Sequence, residues 1–299
     1  MPPAPTTPTD RLSPLLQHFH VRTRMFHSGP LCGTTAFYDG PDLGYLHVLR
    51  AGTVQVAHYG DSSPLGSASL TEPTLLFYPS AAPHRFITPT DRSTHMVCAT
   101  VRFDAGPAHP VAAVLPPLCL VPLASVPGLA RTVDALFAEA MPDGDAAPAC
   151  GRQLICDRLF DALLVQLLRW LIDHPPATPG ADGPSQTLLA GLAHPQLAHA
   201  LNATHGEPGA LWDLPRLAAV AGMSRSSFAA TFHRVVGSTP ADYLARWRMV
   251  LAGQRLARGE PLKQVALRLG YSSASALSRA FAAHHGQAPR AWRQQQDVP

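Results

Sequence analysis

Residues 214–240 read LPRLAAVAGMSRSSFAATFHRVVGSTP, and residues 262–289 repeat the pattern as LKQVALRLGYSSASALSRAFAAHHGQAP. Nine positions of the first copy recur 48 or 49 residues later. Leu214, Leu217, Ala218 and Gly222 match Leu262, Val265, Ala266 and Gly270, whereas Phe228, Phe232, Gly237, Pro240 and Tyr243 match Leu277, Phe281, Gly286, Pro289 and Trp292. A repeat with a fixed period indicates one supersecondary unit present twice.

Each copy predicts two short helices joined by a tight turn. A helix over 214–221 or 262–269 ends at a glycine, where a left-handed backbone costs least. Ser224 in the first copy, and Ser272 or Ser273 in the second, can cap the next helix, which has apolar residues at i and i+4. This is the helix-turn-helix pattern. The helix predicted over 240–258, near 28 Å long, could hold two such units about one DNA turn apart.

The charge distribution indicates a polyanion as partner of this region. From residue 210 onward the sequence has 12 Lys and Arg against 4 Asp and Glu, a net charge of +8. The preceding 209 residues have 11 basic and 16 acidic residues, a net charge of −5. A basic block of this kind on an acidic body is typical of nucleic-acid binding, although a solvated surface can also be basic.

Residues 192–295 resemble the DNA-binding domain of AraC/XylS-type transcription regulators. The resemblance rests on Ala218, Gly222-Met223-Ser224, Phe228, Phe232, Gly237-Ser238-Thr239-Pro240, Arg246, Arg248, Ala252 and Leu256, and in the second half on Val265-Ala266, Gly270-Tyr271, Leu277-Ser278-Arg279-Ala280-Phe281, Gly286, Pro289 and Arg293. It implies double-stranded promoter DNA as the partner, and RNA polymerase if the protein is an activator.

The resemblance also assigns the residues that face DNA. They are Arg225, Ser226, Ala229 and Ala230 in the first unit, Ala274, Ser275, Ser278 and Arg279 in the second, and Arg234, Arg248 and Arg293 elsewhere. Most of the helix positions hold Ala or Ser, which make no bidentate base contact. Arg225 and Arg279 are therefore the candidates for base edges. Arg234, Arg248, Arg255 and Arg293 are expected to contact phosphate or to be surface charge.

Residues 21–103 predict a different fold. Short β-type runs, such as 34–38, 45–49, 53–58, 75–78 and 95–103, are separated by Gly, Pro and Asp, which indicates a sandwich or small barrel. Residues 128–141 and 149–173 then predict helices. The region resembles the cupin-type N-terminal domain of a subset of these regulators through Leu31-Cys32-Gly33, Leu46-His47-Val48-Leu49, Gly52, Leu76-Phe77-Tyr78-Pro79, Pro83-His84, Val97-Cys98, His109-Pro110 and Leu115-Pro116-Pro117.

The fold class is therefore a two-domain α+β protein. It combines an N-terminal cupin-like β-barrel plus helices with a C-terminal all-α domain of two helix-turn-helix units joined by a long helix. The predicted boundaries are a flexible tail 1–20, a cupin-like sensor domain 21–125, a helical dimerisation segment 126–175, a linker 176–186 and a DNA-binding domain 187–299. No run reaches about 18 apolar residues and no signal peptide is recognisable, so we expect a cytoplasmic protein without membrane contact. We also expect a homodimer, formed through the helical dimerisation segment 126–175.

Four side chains of the cupin-like domain are candidates for sensing: Cys32, Cys98, His47 and His84. Two Cys and two His can hold zinc; alternatively, the two thiols could form a disulfide on oxidation, with the histidines favouring the thiolate. This layout is similar to AraC-type regulators associated with reactive-chlorine stress. A small organic ligand, or ordinary burial of the cysteines, remain alternatives.

Two other classes of function fit the sequence less well. A cupin-type metal-dependent enzyme fused to a DNA-binding domain needs a fuller ligand set, but Leu49 stands where a second histidine is expected and Glu72 where the second motif has a glycine. An architectural DNA binder without sequence preference is disfavoured by two recognition helices on a fixed rod. The sequence thus predicts a regulator that is not an enzyme.

Overall fold

The computed structural model describes residues 10–18, 20–38, 43–59, 65–104, 109–142, 149–174 and 187–296. The chain divides into two compact units. The first, here the β unit, comprises Val21–Pro107 and Val111–Pro176; the second, the helical unit, comprises Met1–His20, Ala108–Pro110 and Ala177–Pro299. The predicted linker 176–186 and residues 1–9 of the predicted tail lie outside the described residues.

Among the described residues, the β unit holds nine strands followed by two helices. They are β1 Val21–Leu31, β2 Gly33–Phe37, β3 Gly44–Ala51, β4 Val54–His58, β5 Ser67–Leu70, β6 Thr74–Tyr78, β7 His84–Thr88, β8 Thr94–Phe103, β9 Cys119–Pro122, α2 Leu129–Ala140 and α3 Arg152–Asp173. Each predicted strand and helix is present. The strands β1, β5 and β7 also lie within the predicted β-type region 21–103, whereas β9 lies beyond it.

The strands form two antiparallel sheets. One has the order β1-β8-β3-β6-β9 and the other β2-β7-β4-β5. Residues of both sheets build one apolar core, which consists of Leu31, Phe37, Tyr45, Leu49, Val54, Val56, Leu70, Leu76, Tyr78, Phe86, Met96 and Cys98. The core thus lies between two sheets, as in a flattened barrel, and the predicted cupin-like fold is confirmed.

The helix α3 is fixed to the edge strand β1 by carboxylates that accept backbone hydrogen bonds. Asp157 Oδ1 accepts the N–H of Met25 at 2.8 Å, and Asp161 Oδ1 accepts the N–H of Thr23 at 3.0 Å. Because the N–H groups of an edge strand otherwise lack partners, these two bonds also protect β1 from pairing with another chain.

In the described part of the chain, the helical unit contains one short N-terminal helix and eight helices from the C-terminal third. They are α1 Ser13–Leu16, α4 Leu188–Ala193, α5 Leu197–Gly206, α6 Leu214–Val220, α7 Arg225–Val236, α8 Pro240–Ala257, α9 Leu262–Arg268, α10 Ala274–His285 and α11 Pro289–Gln296. Among the described residues, no helix is both long enough and apolar enough to cross a bilayer.

Part of the predicted flexible tail is ordered against the helical unit. The α1 helix packs against α5, and Leu15 is fully buried. The side-chain amide of Asn202 donates to the carbonyl of Asp10 at 2.9 Å, and His18 meets the edge of Trp247. Within the described range 10–18, this segment is therefore a packed element, because burial of Leu15 outweighs the loss of chain entropy.

Candidate nucleic-acid interface and sensor core

The first repeat folds as predicted. Gly222, with a φ of +64°, separates α6 from α7. The Ser224 hydroxyl caps α7 by accepting the N–H of Ser227 at 3.2 Å. Gly237, with a φ of +79°, ends α7. A capped second helix after a glycine turn is the geometry of a helix-turn-helix unit.

The second repeat has the same geometry. Gly270 forms the turn with a φ of +74°. The N-cap left open by the sequence is Ser273, whose hydroxyl accepts the N–H of Ala276 at 3.1 Å. Phe228, Leu277 and Phe281 are fully buried, so these side chains are core residues rather than stacking platforms for bases.

The connecting helix α8 holds the two units together. Its 18 residues correspond to a rod of about 27 Å. The Thr239 hydroxyl caps it by accepting the N–H of Asp242 at 3.2 Å. Leu244, Trp247 and Leu251 are buried, so α8 is packed into the unit rather than standing free.

Ten of the eleven residues predicted to face DNA lie where they can reach a ligand. Arg225, Ser226, Ala230, Arg234, Ser275, Arg279 and Arg293 are exposed, and Ala229, Ala274 and Ser278 are half-buried. Arg225 is the first residue of α7, whereas Arg279 lies in the middle of α10. Within the described part of the chain neither guanidinium forms an ion pair, which leaves the donors of both open to an acceptor.

Arg248 departs from the prediction of a phosphate contact. Its Nε donates to the carbonyl of Pro208 at 2.7 Å, and an η nitrogen donates to the carbonyl of Ala210 at 2.9 Å. The guanidinium also lies over the ring of Tyr271. Because two donors of Arg248 serve the protein's own backbone, fewer of them are open to phosphate than the prediction assumed. Arg255 is ion-paired with Glu260 at 3.1 Å, in keeping with the alternative that it is surface charge.

In the β unit, two of the four candidate sensing residues meet. His47 on β3 and His84 on β7 are fully buried, and their Nε2 atoms lie 3.1 Å apart. His84 stacks between the rings of Phe37 and Tyr78, with centroid distances of 4.8 Å and 4.2 Å. The pair thus lies inside the apolar core, between the two sheets.

The hydrogen bonds fix the protonation of this pair. The Nδ1 of His84 donates to the carbonyl of Ala82 at 2.7 Å, so its Nε2 must accept from the Nε2–H of His47. The Nδ1 of His47 then carries a lone pair, and it is buried without a hydrogen-bond partner. Burial lowers the pKa of His84 to about 4. Burial, aided by the neighbouring His84, also holds the pKa of His47 well below its usual value. Both rings are therefore neutral at pH 7.

Cys98 lies beside this pair but is not poised for oxidation. It pairs in register with His47 on β3 and with His27 on β1. Cys98 is fully buried, and burial raises the pKa of its thiol. The expectation that neighbouring histidines favour the thiolate is therefore wrong, because desolvation disfavours the charged form and the histidines are neutral.

Cys32 does not join the group. It is exposed and follows β1, five residues beyond His27. Since His27 is the residue opposite Cys98, the two cysteines are separated by about 16 Å along the strand. A disulfide needs Cα atoms within about 7 Å. In this structure the two cysteines are therefore too far apart to form a disulfide, and the predicted Cys32–Cys98 switch would require these strands to move.

The residue that sequence reasoning missed is His27. It faces Cys98 across β1 and β8, and its charge would act on His47; its Nε2 is buried without a hydrogen-bond partner. The pairing shifts between Met25 and His27, and a bulge of this kind reverses which residues face inward. Alternation along the sequence could not have found this position.

The residues present do not fit the metal that a cupin fold suggests. Zinc in a protein site takes three or four protein ligands. In the described ranges no three His, Cys, Asp or Glu side chains are grouped closely enough to hold an ion. Among the described residues, His47 and His84 bring their Nε2 atoms together, and each Nε2 is used by the other.

Comparisons with known proteins agree with both units. A family model described as cupin matches residues 10–173, and one described as helix-turn-helix domain matches residues 217–295. A putative AraC-like transcription regulator of Streptomyces lividans is 38% identical over 147 residues, which are 49% of this chain and 46% of that protein. The regulator AlkR of Acinetobacter baylyi is 39% identical over 146 residues, 48% of this chain and 45% of that protein. The chain thus spans about half the length of these relatives.

A third relative extends over both units. The RCS-specific HTH-type transcriptional activator RclR of Escherichia coli is 28% identical over 256 residues, 83% of each chain. Its fold and candidate sites make this a two-domain protein with an N-terminal β unit and a C-terminal pair of helix-turn-helix units. The chain belongs to the cupin family, and it joins that domain to a helix-turn-helix domain like that of AraC-like transcription regulators; the family predicted from the sequence is confirmed.

Proposed function

We propose that this protein is a sequence-specific DNA-binding transcription regulator and not an enzyme. The observation that carries the proposal is the pair of capped recognition helices, α7 and α10, mounted on one connecting helix. A rod of about 27 Å is close to the 34 Å of one turn of DNA, so both helices can enter successive major grooves on one face of the duplex. Its relatives are named as transcription regulators.

The side chains on these helices support recognition of DNA bases through a small number of direct contacts. Arg225 and Arg279 offer planar, unpaired guanidinium groups, which can bridge O6 and N7 of guanine. Ala and Ser at the neighbouring positions can contact a thymine methyl or give single hydrogen bonds. Exposed Arg234 and Arg293 would position the domain on phosphate. We therefore expect double-stranded promoter DNA as the partner, contact with RNA polymerase if the protein activates, and a homodimer.

The test compares selected with random DNA. The full chain is used to select duplexes from a random library, and the affinities of wild type and Arg279→Ala are then measured on a selected and on a random duplex. We expect the variant to lose about 1–3 kcal/mol of discrimination between the two. The matched control is Arg169→Ala, an exposed arginine on α3. If wild type selects no duplex, the proposed function fails; equal weakening on both duplexes would reassign Arg279 to phosphate.

We infer that the cupin domain responds to a small hydrogen-bonding ligand and not to the formation of a disulfide. The buried Nδ1 of His47 and Nε2 of His27 have no hydrogen-bond partner among the described residues, and each such atom costs about 1–3 kcal/mol. A ligand that donates to these nitrogens would remove that cost and thereby favour one state of the domain. Two experiments test this. In the first, the DNA affinity of wild type and of His47→Leu is measured with and without metabolites from a cell extract. In the second, the DNA affinity of wild type and of Cys98→Ala is measured with and without hypochlorite. A response lost only in Cys98→Ala would overturn the inference.

A further inference from the structure

A segment between α5 and α6 is wedged between the two helix-turn-helix units. The segment, residues 207–211, precedes the first unit, and its carbonyl groups at Pro208 and Ala210 accept from Arg248 of α8. Arg248 is half-buried, and burial lowers its pKa. Because it reaches two carbonyl groups in a fork, only arginine among the side chains matches this geometry.

The other side of the segment touches the turn of the second unit. A Cβ on Gly209 would lie 2.2 Å from the carbonyl oxygen of Arg268, and one on Gly270 would lie 2.4 Å from that of Gly209. Both distances are closer than any real Cβ contact, so backbone meets backbone here. The Arg248 guanidinium lies over the ring of Tyr271, so a side chain of α8 packs beside this backbone contact.

The segment is also tied to the first unit. Arg216 of α6 donates to the carbonyl of Leu211 at 2.8 Å and lies over the ring of Trp212, 4.1 Å from its centroid. Trp212 in turn donates to the carbonyl of Glu207 at 2.8 Å. The segment thus links α6 with the Gly270 turn, in parallel with the covalent link through α8.

We propose that Arg248 is a positioning residue, which locks residues 207–211 between the two helix-turn-helix units and so sets the half-site spacing that the protein accepts on DNA. With the lock, the two recognition helices move as one body and the second half-site is bound at little entropic cost. Without it, α8 alone connects them, and a mismatched spacing is tolerated at the expense of affinity for the matched one. This inference rests on the proposed function.

The test uses the full chain and the duplex that wild type selects from a random library. Affinity is measured on this duplex, on versions with one or two base pairs inserted between the half-sites, and on a duplex with one half-site. We expect Arg248→Lys, which retains the charge, to weaken binding to the matched duplex roughly tenfold. Binding to the inserted and single-site duplexes should change less than twofold, which lowers the spacing preference.

Two further variants make the outcome decisive. Arg246→Lys changes an exposed arginine of the same helix and should leave the spacing preference as in wild type. Gly209→Ala pushes the segment away from the Arg268 carbonyl without altering any charge, so it should reproduce the loss of spacing preference. This variant keeps the test decisive if Arg248→Lys does not fold. The inference is overturned if the folded variants weaken all duplexes equally or keep the wild-type spacing preference. If wild type selects no duplex, the proposed function itself fails.

Discussion

Leu15→Ala tests whether the N-terminal segment belongs to the helical unit. Leu15 is fully buried on α1, which packs against α5, although it precedes the whole β unit in sequence. Replacing a fully buried leucine by alanine costs about 3 kcal/mol. The loss is bounded above by the free energy that docks residues 10–18, since a weakened segment can detach instead of leaving a cavity.

The consequence is local to the helical unit. For a unit of roughly 110 residues, about 3 kcal/mol corresponds to a fall in Tm of roughly 12 °C. Hydrogen exchange of the full chain followed by mass spectrometry resolves the units: amides of α5 should exchange roughly a hundredfold faster, while those of β3 remain protected. Leu154→Ala, which removes a 59% exposed leucine from α3, is the control and should change neither.

Two results would refute this reasoning. Faster exchange in β3 with unchanged α5 would assign the segment to the β unit. Wild-type exchange in both would mean that burial of Leu15 contributes nothing to the fold. The prediction also bears on dissection of the protein, because a fragment that begins at residue 187 lacks Leu12 and Leu15 and should be less stable than one that retains them.

Three other predictions concern single features of the two units. Ser273→Ala should destabilise the helical unit by about 1 kcal/mol in urea unfolding, because it removes the N-cap of α10; an unchanged midpoint would show that the cap is dispensable. The pKa of His84 is about 4 in the fold against 6.5 unfolded, so the unfolded chain binds the proton first and stability falls below pH 6.5. The loss should approach about 3 kcal/mol by pH 4 and shrink in His84→Gln; a flat stability profile would contradict it. Iodoacetamide should label exposed Cys32 and spare buried Cys98 in native protein, and a Cys32–Cys98 peptide after peroxide treatment would contradict the separation of the two.

The helix-turn-helix units could be predicted because their signals are local. A glycine with positive φ, a serine cap and apolar residues at i and i+4 all act within about 15 residues, so Ser224, Gly237 and Phe228 are sufficient to define one unit. The repeat then supplied a second, independent example of the same signals. Even so, the sequence could not separate Ser272 from Ser273, since either could begin a helix until the backbone around Gly270 was known.

The sensor core could be predicted only in part because sheet register is a long-range property. His47 and His84 were identified by their motifs, not by a strand pattern that shows which way they face. Whether they meet depends on the pairing of β3 with β8 and on the position of β7 in the other sheet, which no local signal encodes. Because the strand register shifts between Met25 and His27, the residue opposite Cys98 is His27 and not the predicted Cys32, which lies five residues further along the chain.

Arg248 shows the same limit for a charged residue. In the sequence it is one of several arginines in a basic block, and phosphate contact is the ordinary expectation for such a residue. Its role is determined by two carbonyl groups 38 and 40 residues earlier in the chain and by the close approach of Gly209 to Gly270. Because two of the five N–H donors of this half-buried guanidinium are used by backbone carbonyl groups, Arg248 presents less of its charge to phosphate. The net charge of +8 therefore overstates the charge available to phosphate, and the salt dependence of DNA binding should be smaller than that charge suggests.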